Sequence, residues 1–168
     1  PAPNVAANQI LVAVHAVPMT QGDRRLRAAD FPGVGAIAGR LMFGVFRPRR
    51  GRPGTNFAGR VIAVGADVTR FAVGDDVFGS CDYGACAEQL AVDEESPVAK
   101  IPEGFDYDEA AAIPYGAGTA LAFLRDIAEV QPGERVLIVG AAGGVGRFAV
   151  QIARHLGAEV TGVCRDSD

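Results

Sequence analysis

Apolar positions recur in short runs over roughly the first hundred residues, and their period then lengthens. Residues 9–17 (QILVAVHAV) join β-branched and apolar side chains between Asn8 and Pro18, which predicts a strand. Residues 56–64 (NFAGRVIAV) predict another, with Gly59 inside it and Gly65-Ala66-Asp67 as the following turn. Residues 73–78 read as a turn entering a strand, 84–92 (GACAEQLAV) as a further strand, and 97–102 as a short extended piece. Residues 19–30 are polar and charged, and 31–54 are irregular and rich in Gly and Pro. Short strands separated by turn signals predict an all-β, barrel-like domain.

From Asp106 the pattern becomes helical. Residues 106–113 are acidic and then alanine-rich, and Pro114 is expected to interrupt their helix, because a residue before proline avoids the helical region. Residues 118–128 (GTALAFLRDIA) put Leu121, Leu124 and Ile127 at helical spacing. After a turn at Gln131-Pro132-Gly133-Glu134, residues 135–139 (RVLIV) form a nearly unbroken apolar run, as in a strand covered on both faces. Residues 140–146 are glycine-rich, and 147–156 carry Phe148, Ile152 and Leu156 on one helical face. Gly157 is a helix stop, and 159–164 (EVTGVC) predict a second covered strand. The predicted fold class is β followed by α/β, with residues 1–110 as the β domain and 111–168 as the start of an α/β domain.

Composition narrows the function. The 168 residues are 49% hydrophobic and 21% charged, which is globular rather than disordered. The formal net charge of −4 argues against a dedicated nucleic-acid binder. No apolar run approaches the ~20 residues of a membrane-spanning helix, and no secretory signal pattern opens the chain. Its 3 cysteines include no CxxC pair, against both a disulfide scaffold and a four-cysteine zinc lobe. The expected compartment is the cytoplasm. The chain opens in turn-like Pro1-Ala2-Pro3-Asn4 without a methionine and stops after a strand-like run, so it is expected to be part of a longer chain.

The glycine turn carries the chemistry. Gly140-Ala141-Ala142-Gly143-Gly144-Val145-Gly146 follows an apolar strand, opens an amphipathic helix, and precedes a second strand, the setting of a dinucleotide fingerprint. Gly143 lets backbone approach a diphosphate, helix-start N–H groups and the helix dipole stabilise the anion, and Gly146 permits tight helix–strand packing. Ala141 departs from the usual glycine there. At the end of the second strand Cys164 and Arg165 stand where an NAD-binding protein places an acid, which favours a 2′-phosphate and NADP(H); Asp166 and Asp168 weigh the other way.

The segments 12–27, 54–79 (GTNFAGRVIAVGADVTRFAVGDDVFG) and 110–164 resemble the medium-chain dehydrogenase/reductase superfamily. Within it they are most similar to the quinone oxidoreductase-like, NADP-dependent branch. The stretch 40–44 (RLMFG) with Arg47-Pro48-Arg49 is similar to members called NAD(P)-dependent alcohol dehydrogenases. The resemblance implies a GroES-like β-barrel catalytic domain followed by the first βαβ unit of a Rossmann domain. It also implies further strands before Pro1, the remainder of the Rossmann sheet after Asp168, and a homodimeric full-length protein. At the positions of the family's catalytic zinc ligands stand Thr20, Thr55 and Tyr115, with Asn56 replacing the adjacent carboxylate. None of the first three is a zinc ligand, since zinc takes thiolate, imidazole or carboxylate. The expectation is a zinc-independent enzyme.

Hydride transfer to a quinone, enone or aldehyde then needs hydrogen-bond donors for the developing oxyanion. The candidates are Tyr115, Thr20, Thr55 and Asn56; Tyr115 is equally readable as an apolar wall residue. Thr119 matches a family threonine near the nicotinamide, against the alternative of a helix-start hydroxyl. The coenzyme set is Gly140, Ala141, Ala142, Gly143, Gly144, Val145, Gly146, Thr119 and Arg165, with no metal ligands. Asp23, Cys81 and Cys86 read as structural, and the arginines of 40–52 as a solvated loop. The leading expectation is a stand-alone NADPH-dependent reductase of a small carbonyl, enone or quinone. The rivals are an enoyl-reductase module of a polyketide or fatty-acid synthase and a non-catalytic, crystallin-like or regulatory dinucleotide binder. The 168-residue chain alone is expected to be inactive and to bind NADPH weakly.

Overall fold

The computed structural model describes residues 3–28 and 52–165. The 40–44 stretch and Arg47, Arg49 and Arg50 lie outside the described residues, as do Asp166 and Asp168. The chain divides into two compact units, Pro1–Ala112 and Ile113–Asp168.

In the first unit, β1 (Gln9–Ala16), β2 (Asn56–Val64), β3 (Asp76–Ser80), β4 (Gln89–Asp93) and β5 (Val98–Lys100) form one sheet in the order β4-β1-β2-β3-β5. Every pairing is antiparallel. The β-rich pattern therefore folds as the predicted barrel-type sheet, with β2 covering the predicted 56–64. The core is built from alternating positions of these strands, among them Ile10, Val12, Phe57, Val61 and Val77. Inside β2, a Cβ on Gly59 would lie 2.1 Å from the Ala13 carbonyl oxygen of β1, so only glycine allows the two central strands to meet there.

Three expectations change. The polar 19–30 stretch contains a helix, α1 (Gln21–Ala28), and the strand expected over 84–92 is only β4, at 89–93. The helix α2 (Tyr107–Leu121) runs through Pro114 instead of stopping before it. Proline removes one backbone N–H and crowds the carbonyl four residues back, that of Ala110; the helix continues because its first half is packed on the sheet. Asp106 and Glu109 cap the helix reciprocally, Asp106 Oδ1 accepting the Glu109 N–H at 2.8 Å. Ala110 and Ala111 pack with Ala16 and Ala58 of the sheet. Tyr107 stacks on His15 with ring centroids 4.4 Å apart and donates its hydroxyl to Asp76. The Arg60 guanidinium makes a two-pronged contact with the same carboxylate, at 2.8 and 2.9 Å. Arg60 first, and the Tyr107 hydroxyl next, hold the Asp76 carboxyl below the usual range.

In the second unit α2 passes into a π-helical turn, Ala122–Ile127, where the Ala128 N–H reaches back to the Phe123 carbonyl. Then β6 (Arg135–Val139), α3 (Gly144–His155) and β7 (Glu159–Val163) form a βαβ unit whose strands pair in parallel, Arg135 opposite Glu159 through Val139 opposite Val163. Gly157 ends α3 at φ 87°. Ile138 and Ala153 pack with Leu124 and Val130. The strands are not covered on both faces as the apolar run predicted: Leu137 and Val139 are 64% and 77% exposed. Among the described residues of this unit β6 and β7 are the two strands, and α3 covers one side.

Two outcomes follow from this packing. Gly59→Ala should lower unfolding stability by about 3 kcal/mol through overpacking of the β1–β2 contact, measured as the denaturant midpoint. Because the folded Asp76 carboxyl titrates below its unfolded value, its contribution is complete above the unfolded pKa and is lost as pH falls through the folded one. Asp76→Asn should therefore flatten the acid limb of the stability–pH curve, and only slightly for so exposed a pair.

Candidate functional site

The hydroxyl and amide groups of the first unit are sorted by their hydrogen bonds. Thr20 precedes α1 as its N-cap: its Oγ1 accepts the Asp23 N–H at 3.2 Å, and Asp23 Oδ2 accepts the Thr20 N–H at 2.9 Å. The Thr20 hydroxyl proton also goes to Asp23 Oδ2, at 2.6 Å. Thr20 is thus committed to the helix start. Asp23 is 2% exposed, and its Oδ1 has no hydrogen-bond partner among the described residues. Burial, and then the Asp23 carboxylate, pushes the Cys86 thiol up; burial, the nearby Asp82 and then Asp23 do the same at Cys81. Both thiols stay protonated and flank Gly54, Cys86 Sγ lying 2.9 Å from where a Gly54 Cβ would stand.

Asn56 is 3% exposed, and both ends of its amide are engaged. Ser80 Oγ donates to its Oδ1 at 2.8 Å, and its Nδ2 donates to Thr55 Oγ1 at 3.0 Å. Among the described residues nothing accepts the Thr55 hydroxyl's own proton. Asn56 therefore orients Thr55 as a donor, a consequence of Ser80 that residue spacing did not reveal. No group of three or more His, Cys, Asp and Glu converges to hold a metal ion among the described residues.

In the second unit, Tyr115 lies on α2 and is 39% exposed. Thr119 is near the end of α2 rather than at its start, which removes the helix-start reading; its Oγ1 donates to the Tyr115 carbonyl oxygen at 2.7 Å. The glycine turn divides into two parts. Gly140, at φ 79°, and Ala141 both donate their N–H to the Val163 carbonyl, at 2.7 and 3.0 Å, and Gly143 donates to Gly140 at 2.9 Å. These groups hold the turn onto β7. Helix α3 then begins with Gly143 as N-cap and no side-chain cap. Its first intrahelical bond here is Arg147 N–H to Gly143 O, at 3.0 Å. Gly144, Val145 and Gly146 occupy the positions whose N–H groups have no acceptor within a helix.

The backbone at the start of α3 is open on the side where a Gly144 side chain would stand. A Cβ on Gly144 would meet nothing within 4 Å, and one on Gly143 only the Gly140 oxygen at 3.2 Å. Gly146 differs: its Cβ would stand 2.1 Å from the Gly140 oxygen. An uncapped helix start below an open glycine surface fits a diphosphate. Val145 is half-buried and Ala142 exposed, and Arg165 is exposed beyond the end of β7. The Arg147 side chain, which sequence reading passed over, donates from Nε to the Ala142 carbonyl at 3.0 Å.

Residues 6–103 match the alcohol dehydrogenase GroES-like domain. Polyketide synthase GfsB of Streptomyces halstedii is 50% identical over 107 residues, 64% of this chain and 2% of that protein. A Mycobacterium marinum phenolphthiocerol synthesis polyketide synthase type I is 38% identical over 156 residues, 93% of this chain and 7% of that protein. Among solved structures, an alcohol dehydrogenase superfamily protein from Novosphingobium aromaticivorans superposes with TM-score 0.85 at 33% identity, covering 99% of this chain and 48% of its own. The CurK enoyl reductase gives 0.82 at 32% identity, covering 96% and 47%. The Escherichia coli quinone oxidoreductase complexed with NADPH gives 0.77 at 28% identity, covering 98% and 46%. The chain thus spans about half the length of these solved structures and a small part of the polyketide synthases.

The cap geometry gives one test. Thr20→Val should lower stability by about 1–2 kcal/mol, because it removes the cap and strips partners from a buried carboxylate oxygen. Thr20→Ser should retain most of it; equal losses in thermal melts would show that the hydroxyl is idle.

Proposed function

The chain belongs to the alcohol dehydrogenase GroES-like family within the medium-chain dehydrogenase/reductases, and from that premise we propose that it serves in enoyl reduction, saturating a carbon–carbon double bond conjugated to a thioester carbonyl. The 50% identity to a polyketide synthase over 107 residues is the observation that carries this reading, supported by the fold shared with the CurK enoyl reductase. Residues 1–110 are the catalytic domain in this reading, and 111–168 begin the nucleotide-binding domain.

The N–H groups of Gly144, Val145 and Gly146 would hold the diphosphate of NADP(H), and Arg165 would hold its 2′-phosphate. When bound, the reduced nicotinamide supplies the hydride. Hydride addition at the alkene β-carbon leaves negative charge on the substrate carbonyl oxygen, and the α-carbon then takes a proton from water. Thr55, oriented by Asn56, donates its hydroxyl to that oxygen; Tyr115, on α2, is the alternative donor. Thr20 acts through α1, holding the helix start. The substituents at the family's zinc positions favour this hydrogen-bonding chemistry, because threonine and tyrosine hydroxyls are poor zinc ligands. Reduction of a free quinone or aldehyde is the second reading, supported by the fold shared with the Escherichia coli quinone oxidoreductase.

Steady-state NADPH consumption by the whole protein separates these readings. A simple 2-enoyl thioester should be reduced with kcat/KM well above that of a benzoquinone or an aldehyde; the reverse order selects the second reading. NADPH binding without turnover on any of the three selects the non-catalytic one. Thr55→Val should lower kcat for the thioester about 100-fold with KM little changed, the size expected for one oxyanion donor. With β6 and β7 as a two-stranded pair, the 168-residue chain alone should bind NADPH at least tenfold more weakly than the whole protein, read by nicotinamide fluorescence.

A further inference from the structure

We propose that Arg147 is a second-site clamp on the coenzyme diphosphate, reaching it from the first turns of α3, an inference that rests on the coenzyme reading above. Three observations carry it. The first is charge placement. A helix N-terminus is the positive end of the helix dipole, and acidic residues are favoured there. The first turn of α3 has no acidic residue, and Arg147 follows it directly. A cation at that position raises the energy of the ligand-free helix, and an anion bound at the same end reverses the sign.

The second is direction. Helical side chains lean toward the N-terminus, so a residue one turn in can reach back over the helix start. Arg147 does so: its Nε donates to the Ala142 carbonyl at 3.0 Å, holding the guanidinium on the glycine turn. The third is vacancy of charge. The ion pairs among the described residues are Arg60–Asp76, Lys100–Asp75 and Arg125–Asp126, and Arg147 is in none of them. With Nε used on the turn, its two terminal nitrogens keep a fork suited to phosphate oxygens, the planar geometry that distinguishes arginine from lysine. The open surface over Gly143 and Gly144 is the space beside it.

The diphosphate is common to NADPH and NADH, so a clamp on it does not discriminate between them. In the whole protein, Arg147→Gln should raise the dissociation constants for NADPH and NADH by the same factor, about tenfold, the size of one charge-assisted contact. Arg147→Lys should fall between, keeping the charge and losing the fork. The ligand-free melting temperature of Arg147→Gln should stay level or rise, because an unfavourable charge has been removed from the helix start. Gly144→Val serves as the control for the cradle itself. If it abolishes binding while Arg147→Gln binds both coenzymes normally, the clamp is overturned and the coenzyme reading stands. If Gly144→Val leaves binding intact, the coenzyme reading and the clamp fall together. A loss confined to NADPH reassigns Arg147 to the 2′-phosphate and overturns the diphosphate role. A drop in ligand-free melting temperature assigns it to holding the turn, and overturns the clamp as well.

Discussion

The contact between α3 and the end of β6 leaves no room for a side chain, and the second unit is organised around it. With a Cβ at Gly146 placed 2.1 Å from the Gly140 oxygen, any larger residue would push the helix off the turn. The close approach in turn requires Gly140 at positive φ and its N–H on Val163, which ties the turn to β7 as well as β6. Once helix, turn and two strands are locked this way, the first N–H groups of α3, which have no acceptor within the helix, sit in a rigid frame. Rigidity matters more than donor number here, because an anion gains most from dipoles that need no reorganisation to meet it.

Much of this frame is legible in residue order. β2 and β6 follow their apolar runs closely, and the glycine spacing is informative because a strand precedes it and a strand follows. What escaped prediction has identifiable causes. Pro114 reads as a break on local grounds, yet burial of Ala110 and Ala111 against the sheet favours keeping the helix intact. α1 hides in a polar stretch because its stability comes from a cap, Thr20 with Asp23, and not from an apolar stripe. The apolar run of β6 implies two covered faces, but periodicity reports what a strand is suited to meet, not which neighbour supplies the cover. The Arg147 contact with the Ala142 carbonyl was invisible because it lies in a side-chain direction that no spacing rule encodes.

Relatives shift the weight between reactions that share their chemistry. The sequence pattern favoured a stand-alone reductase through the 40–44 stretch, which lies outside the described residues, whereas the long identity to polyketide synthases supports the thioester. Enone, quinone and enoyl thioester all accept a hydride at carbon and place charge on a conjugated oxygen. The demands on the protein near the reacting atoms are therefore nearly the same, and substrate choice has to arise elsewhere, in whatever accommodates the remainder of the molecule. For that reason the proposed coenzyme site and donors do not choose among these substrates, and a direct comparison of kcat/KM does.

The hydrogen-bond pattern of the first unit makes a stronger statement about roles than residue type does. Four polar side chains occupy the positions that the family resemblance marks, and type alone ranks the phenol first as a proton donor. Pairing ranks them differently. A hydroxyl whose proton already rests on a buried carboxylate cannot donate it to substrate without leaving that carboxylate unsatisfied, which is costly at a site where Asp23 Oδ1 already lacks a partner. An amide held at both ends, as in Asn56, is likewise fixed. Thr55 is the reverse case: it receives a hydrogen bond and has its own proton left over, so the network that immobilises Asn56 aims Thr55. Ser80 is the distal end of that network, which places the setting of a donor's direction two side chains away from the group that uses it.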